Sequence, residues 1–107
     1  MKMTSRVPPA PKKLTAEGKR LWRDTLSRFE ITDTHDLELL GIMCRSLDRQ
    51  REAEDLLTRE GLVCTDRFNQ KKPHPAAAIV RDCAQTYMKA LVAIGLNLIP
   101  PQKGAPR

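Results

Sequence analysis

The sequence predicts an all-α fold of three main helices, with a long central helix, an extended basic arm before them, and a short extended or loop segment before the last one. Three separate stretches repeat apolar residues at helical spacing, and each ends at a glycine, a proline or a capping residue. The chain has 107 residues, enough for one core, and only 4% of them are aromatic. That core is therefore expected to be aliphatic.

The chain is expected to consist of an arm, one helical domain and a tail. Three prolines among the first eleven residues prevent a regular helix, and lysines and arginines make this stretch basic, so residues 1–13 are predicted to form a flexible arm. The helical domain is predicted over residues 14–96. Residues 97–107, which contain two further adjacent prolines, are predicted to form a loose tail.

The first helix is predicted over residues 16–29. Thr15 is its candidate N-cap, and Gly18 is expected to weaken its first turn. Apolar residues recur at i, i+4 and i+7, namely Trp22, Leu26 and Phe29. This spacing places them on one face, so Trp22 is expected to be buried against the rest of the domain.

The second helix is predicted over residues 34–59, a length of about 39 Å at roughly 1.5 Å per residue. Asp33 and the threonines beside it offer N-caps, and Gly61 is expected to stop the helix. Its main apolar stripe consists of Leu37, Leu40, Cys44 and Leu47. Three more apolar residues lie beside that stripe, and one small core is not expected to cover them all, so they are predicted to form an oligomer interface: Leu39, Ile42 and Met43.

The remainder is predicted to hold an extended segment, a polar loop and a third helix. Residues 62–65 are apolar and partly β-branched, which suits an extended segment, and residues 66–75 are polar and basic. Pro75 can serve as the first residue of the third helix, predicted over residues 75–94 and ended by Gly95.

Charge is distributed unevenly along the chain. Residues 1–20 carry six cations and one carboxylate, residues 21–60 carry six and ten, and residues 61–107 carry seven and two. In the acidic middle, carboxylates alternate with arginines at helical spacing, as Asp48 does with Arg51, which is typical of a solvated helix face. Phosphate contacts are therefore expected from the two basic ends, and protein contacts from the middle.

Seven cations of the two basic ends are the candidates for binding DNA, but short basic arms are also common as solubilising tails, and the residues alone favour the two interpretations equally. Flexible lysines and arginines neutralise phosphates without reading bases, so this binding is expected to be mainly electrostatic. A simple helix-turn-helix is rejected, because the N-terminus of the second helix, which would enter the groove, is acidic. The predicted DNA-binding residues are Lys12, Lys13, Lys19, Arg20, Arg67, Lys71 and Lys72.

Enzymatic and metal-dependent functions have little support in the sequence. Nucleotide-binding glycine motifs are absent, the three cysteines form no CxxC pair, and neither His35 nor His74 has an obvious catalytic partner, so no catalytic residue, metal or cofactor is expected. His35 is expected to be exposed, and His74 to hold a turn through a backbone hydrogen bond. With neither a signal peptide nor a membrane span, the chain is expected to be cytosolic.

Several short motifs, taken in order, resemble the small subunit of tailed-bacteriophage terminases, over residues 8 to about 96. They are Pro8-Pro9, Leu14-Thr15-Ala16-Glu17, Leu21-Trp22, the long acidic helix, Gly61-Leu62-Val63, the basic loop ending His74-Pro75-Ala76, and Leu91-Val92-Ala93-Ile94-Gly95-Leu96. On this resemblance, Trp22, Gly61, Leu62 and Pro75 match structural rather than catalytic positions.

The resemblance implies a non-catalytic part of a genome-packaging motor in the cytoplasm of a bacterial host. Such small subunits are helical, form homo-oligomeric rings, bind double-stranded viral DNA and deliver it to the large terminase subunit, which holds the ATPase and nuclease. Two alternatives stay open from the residues alone. One is a small cytosolic DNA-binding regulator, and the other is a protein-only adaptor without salt-dependent affinity for DNA.

Overall fold

A computed structural model of the chain describes residues 8–95. The elements are α1 (Ala16–Arg28), α2 (Thr34–Glu60), β1 (Val63–Thr65), β2 (Lys71–Pro73) and α3 (Pro75–Ile94). The predicted fold of three helices around a long central one is confirmed, and each helix agrees with its predicted bounds to within one residue. None of the helices in this part of the chain is long and apolar enough to cross a membrane. The predicted tail over residues 97–107 lies outside the described residues.

Local signals in the sequence explain where α2 and α3 begin and end. The Asp33 carboxylate accepts a hydrogen bond of 2.7 Å from the backbone N–H of His35 and so caps α2. Gly61, at φ 87°, ends α2, and Gly95, at φ 89°, ends α3 in the left-handed conformation. His35 itself is exposed in the first turn of α2, as predicted.

The long α2 is the scaffold, since α3 packs along it and α1 packs against it less extensively. Leu40, Met43 and Cys44 of α2 form the fully buried centre of the core, to which α1 contributes Trp22 and α3 contributes Ala90. Burial raises the pKa of the Cys44 thiol to about 12, with a further contribution from the charge of Asp48. Cys44 is therefore protonated at neutral pH and acts as a small apolar residue.

The three residues predicted to form an oligomer interface have different environments. Met43 is only 1% exposed and belongs to the chain's own core, where Tyr87 and Leu91 of α3 lie beside it. Leu39 and Ile42 are half-buried and pack against that core. One small core therefore does cover Met43, because α1 and α3 together enclose it.

A carboxylate of α2 anchors the N-terminus of α1. Asp48 accepts hydrogen bonds from the backbone N–H of Thr15, at 2.7 Å, and from the Thr15 hydroxyl, at 2.6 Å. Thr15 occupies the N-cap position as predicted, although its side chain makes no capping bond within α1. Asp48 is thus not the partner of Arg51, which instead pairs with Glu17 of α1 at 2.9 Å and with Glu54 at 3.1 Å.

Part of the predicted arm packs against the helices. The indole N–H of Trp22 donates a hydrogen bond of 2.9 Å to the backbone carbonyl of Pro8, and Ala10 packs against the core. Leu14, at the end of the arm, is buried in the same core. Residues 8–13 are thereby held in place beside α1 and α2, whereas residues 1–7 lie outside the described residues.

Candidate nucleic-acid interface

The arm contributes two lysines to a groove that it forms with α2 and α3. Lys12 and Lys13 form a turn, in which Lys13 adopts a left-handed φ of 69°, directly before the buried Leu14. Since Leu14 and the Thr15–Asp48 hydrogen bonds fix the chain just after this turn, the two ammonium groups project from an ordered segment. The groove has a volume of about 560 Å³, and we call it the arm groove.

Two arginines of α2 line the arm groove together with these lysines. Arg45 and Arg49 are separated by one turn of α2, and both are exposed. Within residues 8–95, none of the four cations forms an ion pair with a carboxylate. Asp48 and Glu52 also line the groove, and Asp48 is engaged by Thr15. The arm groove therefore carries an excess of two positive charges.

Sequence reasoning missed Arg45 and Arg49 because they lie in the acidic middle segment. A sum of charge over that segment averages opposite faces of one helix, whereas the spacing i, i+4 places both guanidinium groups on one face. This i, i+4 spacing is the feature of the sequence from which the two arginines could have been predicted to share a face. Lys19 and Arg20, which were predicted to bind DNA, are exposed on α1 and do not line the arm groove.

The remaining predicted cations belong to a β-hairpin. β1 and β2 pair antiparallel, with Val63 opposite Pro73 and Thr65 opposite Lys71. The extended segment predicted before α3 is confirmed as β1, but residues 71–73 form a strand rather than part of the predicted polar loop. Lys71 and Lys72 thus lie on β2, and Arg67 lies in the connecting turn. Strand β2 consists of two lysines and a proline, so no pattern of apolar residues marks it as a strand in the sequence. It is a strand because it pairs with β1.

His74 fixes the base of the hairpin to both long helices. Its backbone N–H donates to the carbonyl of Leu62 at 2.7 Å, and its Nδ1 accepts from the backbone N–H of Ala76 at 3.0 Å, which caps α3. Its Nε2 lies 2.7 Å from a carboxylate oxygen of Glu60, the last residue of α2. The predicted turn-holding role of His74 is confirmed.

A second groove joins the arm groove to the hairpin end of the helices. It lies between α2 and α3, has a volume of about 320 Å³, and is lined by Arg49, Arg59, Leu56 and Ile79 among others. Arg49 lines both grooves. Since α2 rises about 1.5 Å per residue, the arm groove and the hairpin are about 16 Å apart along its axis. The second groove therefore connects the cations of the arm groove with Arg59, near the hairpin end of α2.

Comparison with known proteins identifies the family. Residues 16–100 match the family described as "Phage terminase, small subunit". Neither the comparison with curated proteins nor that with solved structures gives a match. The matched range begins at α1 and includes α2, the hairpin and α3, so it covers most of the chain and every helix and strand of the part that the structure describes. The chain therefore belongs to the phage terminase small subunit family.

Proposed function

We propose that this protein is the non-catalytic DNA-binding subunit of a phage genome-packaging terminase, which binds double-stranded viral DNA in the host cytoplasm and hands it to the large ATPase and nuclease subunit. The observation that carries the proposal is the set of four cations in the arm groove, none of which forms an ion pair within residues 8–95. Membership of the family supports the same assignment. The hairpin begins about 16 Å beyond Arg49 along α2, and its cations would extend the contact with one duplex.

Binding of this kind is mainly electrostatic. Lysine and arginine side chains displace counterions from the phosphate backbone, and the resulting affinity depends strongly on salt and little on sequence. One protomer offers few contacts and would bind weakly. A homo-oligomeric ring would repeat these contacts along the duplex, so that each additional contact forms at high effective concentration. Site preference would then come from DNA shape and flexibility.

The proposal is tested by the salt dependence of DNA binding. We expect log K to fall linearly with log salt concentration for the wild-type chain. Replacing Lys12, Lys13, Arg45 and Arg49 by alanine should lower affinity for all sequences and reduce the slope by about 0.9 per lost phosphate contact. Replacing Lys71 and Lys72 by alanine should act in the same way. Fluorescence anisotropy of a labelled duplex at several salt concentrations measures both quantities.

The matched control removes exposed cations that lie outside the proposed interface. Arg23→Ala combined with Arg28→Ala deletes two exposed charges of α1 and should leave the slope unchanged. An unchanged slope in the arm-groove variant would exclude that groove. A wild-type chain without DNA affinity at low salt would reject the proposal and favour the protein-only adaptor.

Self-association into a ring is part of the proposal, and the surface of α3 supports it. Met88 and Val92 are 54% and 55% exposed and are separated by one helical turn, so they form an apolar patch that residues 8–95 leave uncovered. With the half-buried Leu39 and Ile42 of α2, they are the proposed contacts between protomers. The α3 pair was not predicted from the sequence, because the same helix also carries the continuous apolar stripe that packs on the core.

We expect Met88→Glu combined with Val92→Glu to reduce the mass of the oligomer. The added carboxylates would have to be buried unpaired in the interface, which is strongly unfavourable. Size-exclusion chromatography with light scattering gives the mass directly, and Lys89→Glu, a charge change between the two positions, should have a smaller effect. A wild-type monomer at micromolar to millimolar concentration would contradict the ring.

A further inference from the structure

An aromatic side chain stands at the tip of the basic hairpin. Phe68 is 68% exposed, and its ring contacts the Arg67 guanidinium, which lies 5.0 Å from the ring centroid. It belongs to no core cluster of the described residues. A single exposed apolar side chain is ordinary on a protein surface, so it is the position of Phe68 beside a cation at the tip of a basic hairpin, and not its exposure alone, that points to a bound partner.

The carboxylate and the backbone of Asp66 both stabilise the turn at the tip. Oδ1 of Asp66 accepts hydrogen bonds of 2.9 Å from the backbone N–H groups of Phe68 and Gln70. The backbone of Asp66 closes the turn through bonds to Gln70 and Asn69, and Asn69 takes the left-handed φ of 63° that such a turn requires. The bond from Gln70, followed by that from Phe68, lowers the pKa of Asp66, which therefore stays ionised at neutral pH.

The charges around Phe68 favour a polyanion over a protein surface. Asp66 is the one carboxylate of residues 62–73, and its Oδ2 lies 3.4 Å from Nζ of Lys72. Within residues 8–95, Arg67 and Lys71 have no carboxylate partner. The hairpin thus combines uncompensated cations with an exposed aromatic tip, a combination that binds phosphates at its sides and bases at its end.

We propose that the hairpin enters the minor groove of duplex DNA and that Phe68 inserts between two base pairs as a wedge, while Arg67 and Lys71 contact the flanking phosphates. Apolar side chains used in this way unstack a base step and kink the duplex by about 20–90°. Flexible pyrimidine–purine steps cost the least to unstack, so such steps would be preferred without hydrogen bonds to bases. This inference rests on the proposed DNA-binding function and gives it a mechanism for site preference.

The test measures DNA bending and base unstacking separately from binding. A roughly 30-bp duplex with a central TA step carries donor and acceptor dyes at its ends, and a second duplex carries 2-aminopurine at that step. The wild-type chain should shorten the end-to-end distance and increase 2-aminopurine emission. Phe68→Ala should abolish both signals, weaken binding at least about fivefold, and leave the salt slope unchanged.

Three further variants isolate the contribution of the tip. Val63→Ala removes an exposed apolar side chain from the hairpin away from its tip and should bend DNA as the wild type does. Asp66→Ala should reduce bending although Phe68 is present, because the backbone N–H groups of Phe68 and Gln70 lose their acceptor. Asp66→Asn retains an acceptor oxygen, so this variant should bend DNA more strongly than Asp66→Ala.

The possible failures are distinguishable. Wild-type DNA binding with an undiminished bend in Phe68→Ala would overturn the wedge and leave the proposed function intact. A lower oligomer mass for Phe68→Ala, with the bend retained, would instead assign the ring to a contact between protomers. If the wild-type chain binds no DNA at low salt, both proposals fail together.

Discussion

Trp22→Ala is expected to lower the free energy of unfolding by about 3 to 5 kcal/mol. Trp22 is 4% exposed and lies in the core cluster formed by all three helices. Removing the indole leaves a cavity that its neighbours can fill only in part, and it also deletes the hydrogen bond to the carbonyl of Pro8. The side chain therefore connects α1, the core and the arm, and its loss weakens all three.

The measurement is urea unfolding followed by circular dichroism at the helical band, since the variant lacks the chain's single tryptophan. Trp22→Phe separates the two contributions, because it retains most of the apolar contact and loses the N–H donor. We expect Trp22→Phe to be destabilised less than Trp22→Ala. Because the hydrogen bond to Pro8 is lost, trypsin should cleave the arm after Lys12 and Lys13 faster than in the wild type. A change below about 1 kcal/mol in Trp22→Ala would contradict the burial of this residue.

The helices could be predicted closely because their ends depend on neighbouring residues. Asp33 caps α2 through a hydrogen bond to a residue two positions away, and Gly61 and Gly95 end their helices by their own backbone conformation. Pro75 begins α3 for a similarly local reason, since its ring fixes φ and its missing N–H is not needed in the first turn. Such features are visible in a short window of sequence.

Features that depend on distant contacts could not be predicted in the same way. The burial of Met43 requires α1 and α3 to close over α2 from two sides, and β2 exists because β1 supplies its hydrogen-bond partners. The arm groove could not be predicted either, because Lys13 and Arg45 belong to segments of opposite net charge and only the fold brings them together. The composition of the segments predicted the positive charge of the arm, but it did not predict that Arg45 and Arg49 of α2 lie in the same groove.

Gly18→Ala is expected to destabilise the protein, although the same change in an exposed helix stabilises it by about 1 kcal/mol. A Cβ atom at residue 18 would lie 2.6 Å from Oδ2 and 2.7 Å from Oδ1 of Asp48. The carboxylate would have to move, and it would then lose its two hydrogen bonds to Thr15. We therefore expect a loss of about 1 to 3 kcal/mol, the usual range for overpacking a closely fitted site.

Two further variants determine whether the Asp48 carboxylate is the cause. Gly41→Ala is the matched control in α2, where a Cβ would lie 3.4 Å from Cγ of Pro11, and stability should be unchanged or raised by up to about 1 kcal/mol. Asp48→Ala removes both the hydrogen bonds and the obstruction, so adding Gly18→Ala to it should cost nothing more. In the double-mutant cycle the two losses are thus expected to be far from additive. Additive losses would mean that Gly18 is required for a reason other than the approach of Asp48 to α1.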